Sequence, residues 1–196
     1  MKIEIPYNMK FFINNELNEI PEDLEEMKKG VSWLKDKSEE VDQNDLGKKA
    51  NLLSQLAGYA RIVGDYSLSE ESFNMAIKIL DDLGNPELVF FNKLRMAVLY
   101  QNMKNLTKSS EIYSKAIKFI RGSNSKKVKN YLDFALHNYG KQLFEQKRYQ
   151  EAMELFVEAH EVKIGKGDIN SIKATELAMN LTKEILENEE EQTESE

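Results

Sequence analysis

Two histidines, His137 and His160, are the only imidazoles in this chain, and neither falls in an H-E-x-x-H or comparable ligand spacing. No cysteine is present to complete a transition-metal set or to act as a thiolate nucleophile. The glycines at 58, 64, 84, 122, 140, 165 and 167 are scattered among helix interiors and turns, so no phosphate-cradling loop forms. Carboxylates are plentiful, 34 in all, but on helical sequence they are ordinary solvated residues, and no spacing singles out an acid and base pair. The reactive groups therefore point away from an enzyme, and no catalytic residue, cofactor or metal ligand is expected.

The elements that would position any site are marked by a repeat. Tyr149, Ala152, Phe156 and Ala159 follow one another at intervals of three, four and three residues, which keeps all four on one helix face. Leu106, Ser109, Tyr113 and Ala116 repeat the series, and so do Tyr66, Ser69, Phe73 and Ala76. Small residues admit a neighbouring helix and the large ones fill the space beside it. Upstream of each copy a bulky residue precedes a small one: Leu56-Ala57, Met96-Ala97 and Tyr139-Gly140. Turn-prone or polar pairs, Gly64-Asp65, Lys104-Asn105 and Lys147-Arg148, lie between the two halves. The unit is a hairpin of two antiparallel helices, and its final alanines recur after 40 and then 43 residues. Such a period implies stacked hairpins, none of which buries its apolar face alone.

This pattern resembles the tetratricopeptide repeat (TPR), most closely in RYQEAMELFVEA and GDYSLSEESFNMAIKIL, across roughly residues 45 to 165. The usual TPR period is about 34 residues, so the resemblance is to a long-period type, with extra length at Gly84-Asn85-Pro86 and Gly122-Ser123-Asn124. Lys93, Ser69 and Ser109 depart from the usual residue types. The resemblance implies an all-α fold, a right-handed α-α superhelix. In that arrangement the first helix of each hairpin lines a concave groove. Carried over position by position, the groove residues are Asn51, Ser54, Gly58 and Arg61, then Phe91, Leu94, Arg95, Val98 and Gln101, then Phe134, His137, Asn138 and Lys141. Phe91 and Phe134 would anchor apolar groups, and Arg61, Arg95 and Lys141 would hold a carboxylate. The clamp that TPR cochaperones use for a chaperone's C-terminal carboxylate needs Lys and Asn, then Asn, then Lys and Arg. The corresponding places here read Ser54, Gly58, Arg95, Phe134 and Asn138, so that clamp is absent.

Around the repeats, residues 1–44 read as an N-terminal arm, with a short strand-like piece, followed by a first helix opening at Pro21 and weakened by Gly30. One long helix is expected from Ser125 to about Gln146. Gly165-Lys166-Gly167 should break the chain, and Asp168 or Asn170 should cap a last helix over 166–187, striped by Ala174, Leu177, Ala178, Leu181 and Ile185. The acidic residues 188–196 have nothing to bury and are expected to be disordered. A net charge of −7 disfavours nucleic acid, and no run approaches the roughly 18 apolar residues of a membrane span. The start is not read as a signal peptide, so the expected setting is the cytoplasm.

Together these observations predict a non-catalytic scaffold or adaptor whose concave groove holds a protein or peptide, with homo-oligomers left open. The alternative is an intracellular immunity or regulatory protein that neutralises a toxin or effector, which the acidic charge allows.

Overall fold

The structure, a computed structural model, describes residues 4–42, 44–167 and 169–194. It is all-α in class and repeat-like, with one small two-stranded hairpin among the described residues. The chain divides into two compact units, Met1–Asn14 with Asn18–Asn105, and Asn15–Leu17 with Leu106–Glu196.

In the first unit, β1 (Phe11–Ile13) pairs antiparallel with β2 (Glu19–Pro21), Phe12 opposite Ile20. Four helices follow: α1 (Leu24–Glu39), α2 (Leu46–Ile62), α3 (Tyr66–Asp82) and α4 (Pro86–Asn102), each packed on its predecessor. Pro21 closes β2 and does not open the first helix. Asp23 is the cap, its side chain accepting from the Glu26 N–H at 2.9 Å. Asp45, Asp65 and Asn85 cap α2, α3 and α4 in the same way, with Pro86 at the start of α4. Gly30 is more than a weak point in α1. A Cβ there would lie 2.1 Å from Met9 Sδ, so the glycine lets the arm cross the helix. Ile5 and Met9 pack on a core of Val31, Leu34, Leu52, Leu53, Leu56, Ala60 and Ala76.

The second unit holds α5 (Leu106–Gly122), α6 (Lys126–Lys129), α7 (Leu132–Glu145), α8 (Tyr149–Lys166) and α9 (Ile169–Glu194). Here α5 packs on α7, α7 on α8 and α8 on α9. The long helix expected from Ser125 is broken at Asn130-Tyr131. The Asn130 carbonyl accepts from Lys166 Nζ at 2.5 Å, and the Phe134 N–H that would have bonded to it donates to Asp133 Oδ1. Lys166 also reaches Asp133 Oδ1 at 2.6 Å, which ties the end of α8 to this break. Gly165 does not interrupt α8. The helix ends at Gly167, whose φ of 74° supplies the left-handed cap. Asp168, one of the two expected caps of α9, lies outside the described residues. Contrary to the expected disorder, α9 continues to Glu194, where glutamates are good helix formers; residues 195–196 lie outside the described residues.

The repeated positions share one environment. Ser69, Ser109 and Ala152, then Phe73, Tyr113 and Phe156, then Ala76, Ala116 and Ala159 are all buried, while Tyr66, Leu106 and Tyr149 are half-buried in every copy. Ser69 Oγ donates to the Ala57 carbonyl at 2.7 Å, so the small residues of α2 and α3 do meet. In the third copy the approach is tighter, because a Cβ on Gly140 would lie 2.7 Å from the Phe156 ring. The turns repeat as well. Gly64, Lys104 and Lys147 have φ of 86°, 60° and 60°. After each, the next N–H reaches a carbonyl five residues back: Asp65 to Ala60, Asn105 to Tyr100 and Arg148 to Leu143. The expected pairs α2/α3 and α7/α8 each fold within one unit, whereas the unit boundary falls between Asn105 and Leu106, in the turn between α4 and α5.

Candidate functional site

On α2, Ser54, Gly58 and Arg61 are spaced by four and three residues and so share a stripe. On α4, Phe91, Asn92, Arg95 and Asn102 do the same. Ser54 Oγ donates to Asn92 Oδ1 at 2.5 Å and accepts from Arg95 Nη1 at 2.8 Å, while Asn92 Nδ2 donates to the Leu88 carbonyl. The Arg95 guanidinium stands over two rings, 5.1 Å from the centre of Phe73 and 5.8 Å from that of Phe91. Its floor is Gly58, where a Cβ would lie 2.3 Å from Nη2. Arg61 lies on the same face. Its Nη1 donates to Asn102 Oδ1 at 3.0 Å, and its Nη2 pairs with Glu19 of β2 at 2.6 Å.

Burial first, then the charge of Arg61, lowers the pKa of Arg95 to about 10, against the opposing pull of Glu19. The group is therefore a cation at neutral pH. It can hold an anion or the acceptors of a partner, but it carries no chemistry that would make or break a bond.

The candidate residues fare unequally. In the first unit Asn51 is exposed and bonds with Gln55 on its own helix, and Ser54, Arg61, Phe91 and Arg95 are half-buried around the network just described. Leu94, 1% exposed, belongs to the core, and Val98 and Gln101 are buried too. Leu94 and Val98 therefore cannot form the apolar groove wall expected of them, and Gln101 is likewise withdrawn from the groove. Helix α4 is apolar on nearly all sides, and α3 and α2 both pack on it.

In the second unit Phe134 and Lys141 are half-buried, and Asn138 is buried with its amide donating to the Phe134 carbonyl at 2.8 Å. His137 is not an open groove residue. Its Nδ1 lies 3.1 Å from Thr175 Oγ1 on α9, and its ring packs against Phe156. Buried Lys163 of α8 donates to the same Thr175 hydroxyl at 2.6 Å and to the Ser171 carbonyl. Burial, then the charges of Lys163 and Lys141, hold the His137 pKa well below its ordinary value, so the ring is neutral. The last helix covers this histidine.

Comparison of the chain with protein-family models, with curated proteins and with solved structures finds no match in any of the three. The site stands on its own geometry. Among the described residues no group of three or more His, Asp or Glu is placed to hold a metal ion, and no helix is long and apolar enough to cross a membrane.

Sequence reasoning missed Asn92, Asn102, Phe73 and Glu19. The two asparagines were within reach, since they lie three residues before and seven after Arg95 on one helix stripe. Phe73 was read only as packing, although its ring also serves Arg95. Glu19 gave no signal, because a strand far upstream delivers it.

Proposed function

We propose that this protein is a non-catalytic, TPR-like binding module that holds a protein or peptide partner on the α2 and α4 face of its first unit. The observation that carries this reading is the convergence of Ser54, Arg61, Phe91 and Arg95 on one face, where the Ser54 hydroxyl is bonded to Asn92 and Arg95 and not to a base. Polar groups fixed by their neighbours, beside an aromatic ring, suit recognition because they are ordered before the partner arrives. Exposed Asn51 extends the face along α2 and offers an accessible edge for contact. The lack of cysteine fits the cytoplasmic setting of this reading.

Site-specific photocrosslinking tests the reading. A benzoylphenylalanine at Asn51 should trap a discrete partner in cells, and the same probe at exposed Lys78, on α3, should not. Equal labelling from both positions, or none from Asn51, would refute a binding face on α2 and α4.

A further inference from the structure

We propose that Arg95 is the seat of a carboxylate supplied by the partner, in a site that takes two carboxylates and already holds one from its own chain. The inference rests on the binding reading above and names the chemistry that the face recognises.

Two guanidinium groups share the face, Arg61 from α2 standing close enough to disfavour the charge of Arg95 from α4, and β2 brings one carboxylate, Glu19. That carboxylate is committed to Arg61 at 2.6 Å, with both side chains largely withdrawn from water. Among the described residues no carboxylate lies within ion-pairing distance of Arg95. Of its five N–H groups, only one is engaged, with the neutral hydroxyl of Ser54. Removing a guanidinium from water without a counter-ion is unfavourable, and aromatic faces compensate only in part. The surroundings nevertheless hold it in place, with Phe73 and Phe91 beside it, Ser54 at one end and Gly58 beneath. A helix interior disfavours glycine, and at position 58 any larger side chain would displace Nη2.

One uncompensated positive charge calls for one negative charge. A carboxylate supplies it in the planar, two-oxygen form that a guanidinium accepts; Glu19 meets the charge of Arg61 through one oxygen. A phosphate dianion would overfill the site. The Phe91 ring favours a carboxylate that carries an apolar neighbour. The source is either an acidic side chain or a chain terminus, and the two are separable by experiment.

The test uses the full chain, 15N-labelled, with the Arg95 Nε–H resonance as reporter. Four probes are titrated: N-acetylphenylalanine for a terminal carboxylate, N-acetylglutamic acid α-amide for a side-chain carboxylate, N-acetylphenylalanine amide as the neutral control, and inorganic phosphate. At least one acid should shift the Arg95 signal saturably, and the neutral amide should bind about tenfold more weakly or worse. The tighter acid identifies the source. Arg95→Met should abolish the saturable response, and Gly58→Ala, which crowds Nη2 without removing the charge, should weaken it several-fold with helicity retained. Equal binding of acid and amide would overturn the proposal. So would phosphate binding more tightly than both acids, or acid binding that survives Arg95→Met. Photocrosslinking from Asn51 that persists undiminished in Arg95→Met would overturn this assignment and leave the binding face intact. Acid binding at Arg95 without any trapped partner would do the reverse.

Discussion

Gly140 is where the packing of the hairpins can be tested with a single methyl group. A Cβ added there would lie 2.7, 2.8 and 3.2 Å from three carbons of the Phe156 ring. Phe156 is fully buried and its ring also meets His137 of α7, with ring centres 5.7 Å apart, so it has little room to retreat. Overpacking of this kind costs about 1–3 kcal/mol. Against it, alanine is preferred to glycine inside a helix by roughly 1 kcal/mol. Gly140→Ala should therefore destabilise the second unit by about 1 kcal/mol, read as a lower urea midpoint by circular dichroism. Phe156→Leu removes the clashing ring edge and is destabilising alone. In the double variant the alanine should no longer be harmful, so its loss should fall short of the sum of the two single losses by about 1 kcal/mol or more. If Gly140→Ala alone raised stability by the full helix preference, α7 and α8 would not be in the contact described, and the shared packing of the repeats would fail in its third copy.

Two further outcomes follow from the same geometry. Lys147 occupies a left-handed turn position that Gly64 fills in the first hairpin, so Lys147→Gly should relieve the strained φ and stabilise the protein by about 0.5–1 kcal/mol in urea denaturation; a loss of stability would show that the lysine side chain outweighs the strain. His137 is held neutral by burial beside Lys163 and Lys141, so its folded pKa lies below that of the unfolded chain. The stability it confers is complete above the unfolded value of about 6.5 and is lost as pH falls below that point, at up to about 1.4 kcal/mol per pH unit. Urea midpoints from pH 7.5 to 5 should fall less steeply in His137→Gln than in the wild type, and an unchanged slope would contradict the assignment.

The repeat was legible because small and large side chains recur at fixed intervals, and burial depends on that recurrence more than on residue identity. Serine at 69 and 109 serves where alanine serves at 152, since each is small enough for the facing helix. The turns were legible for the same reason, although lysine twice stands where glycine would be easier. The site was only half legible. Periodicity on α4 put Phe91 and Arg95 together, but a helix apolar on almost every side does not say which apolar residues are covered, so Leu94 and Val98 went to the wrong surface. Contacts between distant segments left no pattern to read. Thr175 of α9 covering His137, Lys166 breaking the helix at Asn130, and Glu19 reaching Arg61 each join residues that local spacing cannot relate.

The most direct measurement of the binding claim is affinity capture with the wild-type chain and with Phe91→Ala/Arg95→Met, both shown to have the same helical content. A discrete partner should be retained by the wild type and lost from the double variant, because the aromatic wall and the cation are removed together. Retention of the same partner at the same level by both proteins would contradict the binding claim.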